Sequence, residues 1–206
     1  MNLAQIWRYP IKSHGSENLN SIDIHSGKTL PLDRTWAVVH DQSDADGSRW
    51  VPCRNFSRVA KAPQLAAIST TWTSDKKLEL SHPSIGNICI DPDLESSKFI
   101  NWVSPLMPGN RAASVKLIRS VQTGMTDTDF PSISIGNLAS HREIEKKVGE
   151  KLSLLRWRCN LWIDGCKPWD EHKWIGKNLK IGEVTFKIEE EIVRCLATTA
   201  NPVSGE

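Results

Sequence analysis

Residues 3–9 (LAQIWRY) open the chain with the alternation of apolar and polar side chains that is typical of a half-buried strand, and residues 10–13 (PIKS) follow as a turn. Four more short runs rich in β-branched and aromatic residues follow, separated by turn-forming residues. They are residues 19–24, 35–40, 65–72 and 77–80. Because no helical pattern separates these runs, we expect a β-barrel or a sandwich here and not a parallel sheet of βαβ units.

The second half combines helices with further strands. Asn137 as the N-cap and Gly149 as the C-terminal stop predict a helix over residues 137–148, and a shorter helix is expected around residues 98–102. Strands are predicted at residues 114–119, 161–163, 179–181, 184–188 and 192–196. The predicted fold class is therefore mainly β with a few α-helices. Strand density falls after residue 91, which divides the chain into regions 1–91 and 92–206.

Composition narrows the classes of function. Lys and Arg number 26 against 24 acidic residues, and this net charge of +2 gives no support to a nucleic-acid partner. No apolar stretch approaches the ~18 residues that a membrane-spanning helix needs, and the N-terminus lacks the apolar segment of a secretory signal. Five irregularly spaced cysteines do not form a disulfide framework, so we expect a reduced, cytoplasmic protein with at least one free thiol.

Cys195 is the cysteine whose surroundings favour chemistry. It follows Arg194 where a predicted strand opens into a polar loop, and a guanidinium beside a thiol favours the thiolate electrostatically. A thiolate is the form needed for ligation of a soft metal or for sulfur transfer. The alternative is an inert cysteine buried in a strand.

Basic residues recur at three predicted strand ends. They are Arg8 with Lys12, Arg34, and Arg156 with Arg158. Each group could direct a cation and a hydrogen-bonding side chain at an anionic ligand, and the arginine fork suits phosphate. Surface salt bridges are the alternative for any single group.

Four segments, taken together, resemble the MOSC family, which is named after the C-terminal domain of molybdenum-cofactor sulfurase. They are a Tyr-Pro-Ile-Lys-Ser element at residues 9–13, an Asp-Arg-x-Trp element at 33–36, the segment 156–165, and an Arg-Cys-x-x-Thr-Thr-x-x-Pro-x-x-Gly element at 194–205. They occur in the family's order and extend over nearly the whole chain. The resemblance implies a MOSC-type β-barrel fold with an N-terminal barrel region followed by a MOSC core.

The resemblance also implies the site. The family's Arg-Cys cysteine ligates molybdenum or carries sulfur, a role that would fall on Cys195. The residues implied as contacts of the molybdenum-pterin cofactor are Lys12, Ser13, Arg34, Arg158, Asn160, Arg194 and, within the loop 126–130, Thr128. Cys159 departs from the family pattern, since it stands where Pro or Gly is usual.

Resemblance to the stand-alone family members implies that this chain is a molybdenum-dependent oxidoreductase. Such an enzyme would reduce N-hydroxylated compounds with electrons from a separate redox protein. A second hypothesis is a sulfur carrier with a persulfide on Cys195, loaded by a cysteine desulfurase, because the pyridoxal-phosphate desulfurase domain of larger family members has no counterpart here. A third is a homologue that holds no cofactor. Family members continue with further strands beyond the element at residues 194–205, so we expect a truncated C-terminal barrel with an exposed sheet edge.

Overall fold

Eleven short strands and two α-helices form the chain, whose computed structural model describes residues 1–206. The strands are β1 (Asn2–Arg8), β2 (Glu17–Leu19), β3 (Trp36–His40), β4 (Ser69–Trp72), β5 (Leu78–His82), β6 (Gly86–Ile90), β7 (Ser114–Arg119), β8 (Ile135–Asn137), β9 (Leu161–Asp164), β10 (Asn178–Ile181) and β11 (Val184–Lys187). The helices are α1 (Ser96–Val103) and α2 (Leu138–Val148). The predicted mainly β fold is confirmed.

The sheet that positions the site has the strand order β2-β1-β9-β8. Strand β1 pairs antiparallel with both β2 and β9, and β8 runs parallel to β9. This sheet therefore joins the first strand of the chain to a strand more than 150 residues later. The division into regions 1–91 and 92–206 stays a prediction, and β1 and β9 pair across it.

Three smaller sheets complete the fold. Strands β4, β5 and β6 form an antiparallel meander, β3 pairs with β7, and β10 pairs with β11. The largest apolar cluster has 15 buried residues and lies between β3, the meander and α1, with Phe99 of α1 fully buried in it. No helix in the structure is long and apolar enough to cross a membrane.

Local capping explains the longer helix. The Asn137 side chain accepts a hydrogen bond from the Ala139 amide, and Gly149 ends α2 in the left-handed conformation at φ 83°. Both groups satisfy backbone positions that helix ends leave without partners. The predicted helix over residues 137–148 is therefore confirmed to within one residue.

Some sequence predictions were wrong. Residues 192–196 do not form a strand: residues 189–194 make no backbone–backbone hydrogen bond, and residues 196–199 form a 3₁₀ turn. The predicted strand at 19–24 stops at Leu19, because only three residues of β2 pair with β1. Residues 63–67 form a 3₁₀ helix before β4. Strands β6 and β8 were not predicted.

Candidate functional site

The two basic elements of the N-terminal region lock together through their backbones. The Arg34 amide donates to the Tyr9 carbonyl at 2.7 Å, and the Tyr9 amide donates to Asp33 Oδ1 at 2.8 Å. The Lys12 amide donates to the Trp36 carbonyl at 2.7 Å. The turn after β1 and the turn before β3 therefore form one unit, which places Lys12 and Arg34 on the same site.

Tyr9 is the platform of this unit. Its ring is fully buried, and the guanidinium carbons of Arg158 and Arg34 lie 4.2 and 4.9 Å from the ring centroid. Its hydroxyl donates to the Cys159 carbonyl at 3.1 Å, and burial raises the pKa of the phenol, so the ring stays neutral. Cation–π attraction to one ring offsets part of the repulsion between the two guanidinium groups.

Arg34 is held by its neighbour Asp33 and by the segment 158–160. It pairs with the buried Asp33, donates to the Arg158 carbonyl at 2.8 Å, and approaches Asn160 Oδ1 at 3.5 Å. Burial would lower the pKa of Arg34, but Asp33 and Asp127 outweigh that effect and raise it. Asn160 also accepts from the Ser134 amide and hydroxyl at 3.1 and 2.9 Å, so its amide oxygen organises the site and is fully engaged.

Arg158 has donors to spare. It adopts a left-handed conformation at φ 49° after the 3₁₀ turn Leu154–Trp157, and its Nη2 donates to the Gly15 carbonyl at 3.2 Å. Its Nη1 and Nε bind no group of the protein, and neither does the Ser13 hydroxyl. Burial, followed by the neighbouring Arg34, lowers the pKa of Arg158 to about 10. An anion at this point would relieve that unfavourable charge.

The ammonium of Lys12 binds groups of the loop 125–127 and does not face solvent. This buried ammonium donates to the carbonyls of Met125 and Thr126 at 2.7 and 3.3 Å and to Asp127 Oδ1 at 2.6 Å. Three acceptors use all three of its protons. Burial lowers the pKa of Lys12. Partial desolvation by the neighbouring protein would raise the pKa of Asp127, but Lys12 and Arg34 outweigh this effect and lower that pKa to about 2. Asp127 is thus ionised at neutral pH, and its side chain is 70% exposed.

The loop carrying Thr128 is fixed against Arg34. The Met125 amide donates to the Arg34 carbonyl at 2.7 Å, and Gly124 lies directly against the Asp33 carbonyl. The Thr128 hydroxyl donates to the Phe130 carbonyl at 2.9 Å and shares a hydrogen bond with Ser132 at 2.7 Å. This loop's geometry therefore depends on its own side chains and on the Asp33–Arg34 backbone.

Two cysteines lie on either side of Arg194. Arg194 Nη2 donates to the sulfur of Cys159 at 3.1 Å, and Cys159 is only 3% exposed. Burial raises the pKa of the Cys159 thiol, although Arg194 and Arg34 oppose this effect. The next residue, Cys195, is exposed, and its sulfur accepts from the Ala197 amide at 3.5 Å. The guanidinium of Arg194 thus binds the buried thiol of Cys159, and not the exposed thiol of Cys195 as the sequence predicted.

A cavity of about 890 Å³ opens between α2, β11 and the unpaired residues 189–194. Of the predicted site residues, Arg34, Thr128, Asn160 and Arg194 line it, together with Asp127 and Cys159. Lys12, Ser13, Arg158 and Cys195 do not line it. The structure therefore places four of the predicted residues in the cavity wall and Lys12 and Arg158 in contact with that wall. Cys195 is the residue after Arg194, which lines the cavity.

Charge and donor chemistry show what this region can bind. We call Lys12, Arg34, Arg158 and Arg194 the cation cluster; only two carboxylates, Asp33 and Asp127, face it. Its excess positive charge fits an anionic group such as a phosphate. No cluster of three His, Cys, Asp or Glu side chains is arranged to hold a metal.

Sequence reasoning missed the supporting residues. Tyr9, Asp33 and Asp127 were not predicted as site residues, and Arg156 was expected to face an anionic ligand but binds the carbonyls of residues 198–200. Tyr9 is nevertheless the only tyrosine of the chain and begins the Tyr-Pro-Ile-Lys-Ser element. That rarity was the available signal for Tyr9. The contacts of Asp33, Asp127 and Arg156 join distant segments of the chain, and no local sequence pattern predicts them.

Comparison with known families assigns the chain. The MOSC N-terminal beta barrel domain matches residues 1–104, and the MOSC domain matches residues 126–204. The chain belongs to the MOSC family. The resemblance drawn from the four sequence elements is thereby confirmed, whereas the role of each site residue in this MOSC protein stays a prediction.

Curated relatives of this MOSC protein include the mitochondrial amidoxime-reducing component 1 of Mus musculus, which is 22% identical over 98% of this chain and 66% of its own length. The Homo sapiens component 1 is 22% identical over 98% of this chain and 67% of its own length. The mitochondrial amidoxime reducing component 2 of Bos taurus is 21% identical over 98% of this chain and 67% of its own length. The chain spans about two thirds of the length of these relatives.

Proposed function

We propose that this MOSC protein binds the molybdenum-pterin cofactor and reduces N-hydroxylated compounds, with Cys195 as a ligand of the molybdenum. The proposal is supported by membership of the family and by relatives whose names describe amidoxime reduction. Since the identity to those relatives is 22% and the chain spans two thirds of their length, the substrate and the electron donor are part of the proposal.

One observation carries the proposal: the dipeptide 194–195 joins the cation cluster to an accessible thiol. Arg194 reaches Cys159 inside the cavity, and the adjacent Cys195 presents its sulfur at the surface. An anionic cofactor held by the cluster would therefore lie close to a sulfur donor. Neither a phosphate site nor an exposed cysteine alone would favour this cofactor.

The protein's own residues would bind and orient the cofactor. Arg158 has free donors for the cofactor phosphate, and it binds the Gly15 carbonyl, two residues after Ser13. Arg34 and Asn160 fix the backbone around Arg158. Lys12 would act indirectly, since its protons already hold the loop 125–127. Asp127, with a pKa of about 2, would orient Lys12 and would not serve as an acid at neutral pH.

When bound, the cofactor supplies two-electron oxygen-atom transfer at the metal. Reduction of a hydroxylated nitrogen to N–H consumes two electrons and two protons and releases water. A separate redox protein would deliver the electrons, because the five cysteines provide no iron–sulfur cluster set. The cytoplasmic location likewise stays a prediction.

Metal analysis tests the proposal. Protein produced in cells that make the cofactor should contain nearly one molybdenum and one pterin per chain, and Cys195→Ala should lose molybdenum while the cation cluster retains most of the pterin. Cys89→Ala is the matched control, because Cys89 is also an exposed cysteine but lies in β6. A folded wild-type protein with neither molybdenum nor pterin would overturn the proposal.

Exposure of the thiol favours one second candidate, a sulfur carrier. A desulfurase persulfide could transfer its outer sulfur to the Cys195 thiolate, releasing the donor cysteine as a thiolate and leaving a persulfide on Cys195. The accessible position of Cys195, outside the cavity lining, permits such a transfer between proteins. Intact mass before and after a reductant tests it: a loss of one sulfur mass that is absent from Cys195→Ala supports the carrier, and an unchanged mass contradicts it.

A further inference from the structure

The segment 156–159 contacts the Cys195 loop on both sides of the cysteine. Upstream, Arg194 donates to the sulfur of Cys159 at 3.1 Å. Downstream, Arg156 Nη1 contacts the carbonyls of Thr198, Thr199 and Ala200 at 3.1, 2.7 and 3.0 Å. These two contacts define a clamp, in which Arg156 and Cys159 are the two fixed points.

Arg156 has no carboxylate partner. None of the ion pairs of the structure includes it, and its only hydrogen-bond acceptors are the three carbonyls of residues 198–200. Carbonyl groups at the end of a helical turn lack partners within the turn, and a cation placed there satisfies them. The guanidinium of Arg156 therefore acts on this turn and on no other charged group.

The turn in question sets the place of the Cys195 sulfur. Cys195 is the N-cap of the 3₁₀ turn Leu196–Thr199, where its sulfur accepts from the Ala197 amide at 3.5 Å and its carbonyl accepts from the Thr198 amide at 3.3 Å. Holding the far end of a turn of four residues fixes its near end as well.

The chain before Cys195 supplies no such restraint. Residues 189–194 make no backbone–backbone hydrogen bond, and Val193 is 93% exposed. The restraint on Cys195 therefore comes from the residues after it, where Ala197 and Ala200 pack against the largest apolar cluster and Arg156 binds the carbonyls of the turn.

We propose that Arg156 is a positioning residue that, together with Cys159, holds the Cys195 sulfur at the rim of the cation cluster. The proposal rests on the proposed function for the role of the sulfur, but the clamp itself is a property of the cofactor-free chain. The sequence did not predict a role for Cys159, which stands where the family usually has Pro or Gly. In the structure its sulfur accepts the hydrogen bond that anchors Arg194.

The test measures backbone ¹⁵N order parameters of residues 194–200 in the cofactor-free protein. We expect about 0.85 in the wild type and a fall below about 0.6 in Arg156→Gln, whose neutral amide lies closer to the backbone and cannot reach the three carbonyls. Order should recover in Arg156→Lys, whose longer, charged side chain can still donate to them. Arg142→Gln is the matched control, because Arg142 is an exposed arginine paired with Asp164 on α2 and β9. Unchanged order parameters in a folded Arg156→Gln would overturn the proposal.

The Cys159 arm keeps the proposal testable if Arg156→Gln does not fold. Cys159→Ala should lower the order parameters of residues 194 and 195, whereas Cys159→Ser should preserve them, since a hydroxyl also accepts from Arg194. Equal behaviour of the two variants would contradict the clamp.

Cofactor content separates the two proposals. In protein from cofactor-producing cells, Arg156→Gln should lower the molybdenum-to-pterin ratio at least about fivefold while pterin content changes less than about twofold. If the wild type holds no molybdenum, the proposed function fails, but the order parameters still decide on the clamp. If the wild type is loaded and Arg156→Gln keeps its ratio, the positioning role fails and the proposed function stands.

Discussion

The guanidinium of Arg158 lies 4.2 Å from the centroid of the buried Tyr9 ring. Tyr9 follows the first strand, and Arg158 follows a turn almost 150 residues later, so this contact joins the two ends of the site. Arg34 lies 4.9 Å from the same ring. The ring thus lies against two like charges within one small volume, and the buried carboxylate of Asp33 pairs with only one of them, Arg34.

The ring of Tyr9, more than its hydroxyl, should matter for cofactor binding. Tyr9→Phe keeps both cation–π contacts and loses only the bond to the Cys159 carbonyl, at a cost of about 1–3 kcal/mol in unfolding free energy. Tyr9→Leu removes both contacts, each worth about 0.5–2 kcal/mol. We expect pterin content to stay within about twofold in Tyr9→Phe and to fall at least about fivefold in Tyr9→Leu. Equal pterin loss in both variants would show that the hydroxyl is the important group.

Arg158 should contribute directly to anion affinity. We expect Arg158→Gln to weaken binding of inorganic pyrophosphate about tenfold, which corresponds to about 1.4 kcal/mol, because the free Nη1 and Nε donors are lost. Titration calorimetry at low and at physiological salt measures this. Arg111→Gln, at an exposed arginine far along the chain from the cation cluster, should bind as the wild type does. Arg158→Gln binding with wild-type affinity would place the anion elsewhere.

Gly124 should tolerate no side chain. A Cβ at this position would collide with the Asp33 carbonyl, which is backbone and cannot move aside without disturbing Arg34. We expect Gly124→Ala to lower the free energy of unfolding by about 1–3 kcal/mol in urea titrations. Gly109→Ala is the control, since a Cβ at Gly109 would meet no atom within 4 Å, and its effect should stay within about 0.5 kcal/mol. Equal effects of the two substitutions would contradict the close packing at Asp33.

His14 should make the protein less stable in mild acid. Its Nδ1 donates to the Lys12 carbonyl at 2.7 Å, its Nε2 is buried without a partner, and burial lowers its pKa to about 4. Between pH 6.5 and pH 4 the unfolded chain binds a proton at His14 that the folded chain does not, so folding stability falls as pH falls. The contribution reaches about 3 kcal/mol.

His14→Asn isolates that contribution, because its amide can still donate to Lys12. Urea unfolding at pH 7 and pH 4.5 should show a stability loss that is about 2–3 kcal/mol larger in the wild type than in the variant. His82 and His141, whose pKa values burial also lowers, are present in both proteins and cancel in the comparison. An equal pH dependence would show that His14 binds its proton over the same pH range in the folded and the unfolded chain.

The parts of the fold that could be predicted from sequence are those with local causes. Helix α2 has its cap residue and its stop residue within the segment, and β7 was predicted with both ends correct, at residues 114–119. Residues 192–196 have the composition of a strand but no neighbouring strand to pair with, and pairing is a property of the whole fold. Composition alone could not supply that information.

The site also has features with local causes, which the sequence shows, and features that depend on distant contacts, which it does not show. The cations stand beside turn residues, which made Arg34, Arg158 and Arg194 visible in the sequence. The sequence did not reveal that the Lys12 ammonium donates its hydrogen bonds to the loop 125–127, because that loop is more than 110 residues away along the chain. Geometry of this kind decides whether a basic residue touches a ligand or supports the residues that do.

The absence of backbone pairing along residues 189–194 has a consequence for chemical biology. A glutamyl endopeptidase would find three consecutive glutamates there, on an exposed chain. Cleavage would break the covalent link between β11 and the segment that carries Cys195. The hydrogen bonds of that segment to Arg156 and Cys159 would remain. The segment after the cut should therefore stay bound to the nicked protein, and gel filtration without denaturant should show both fragments in one peak.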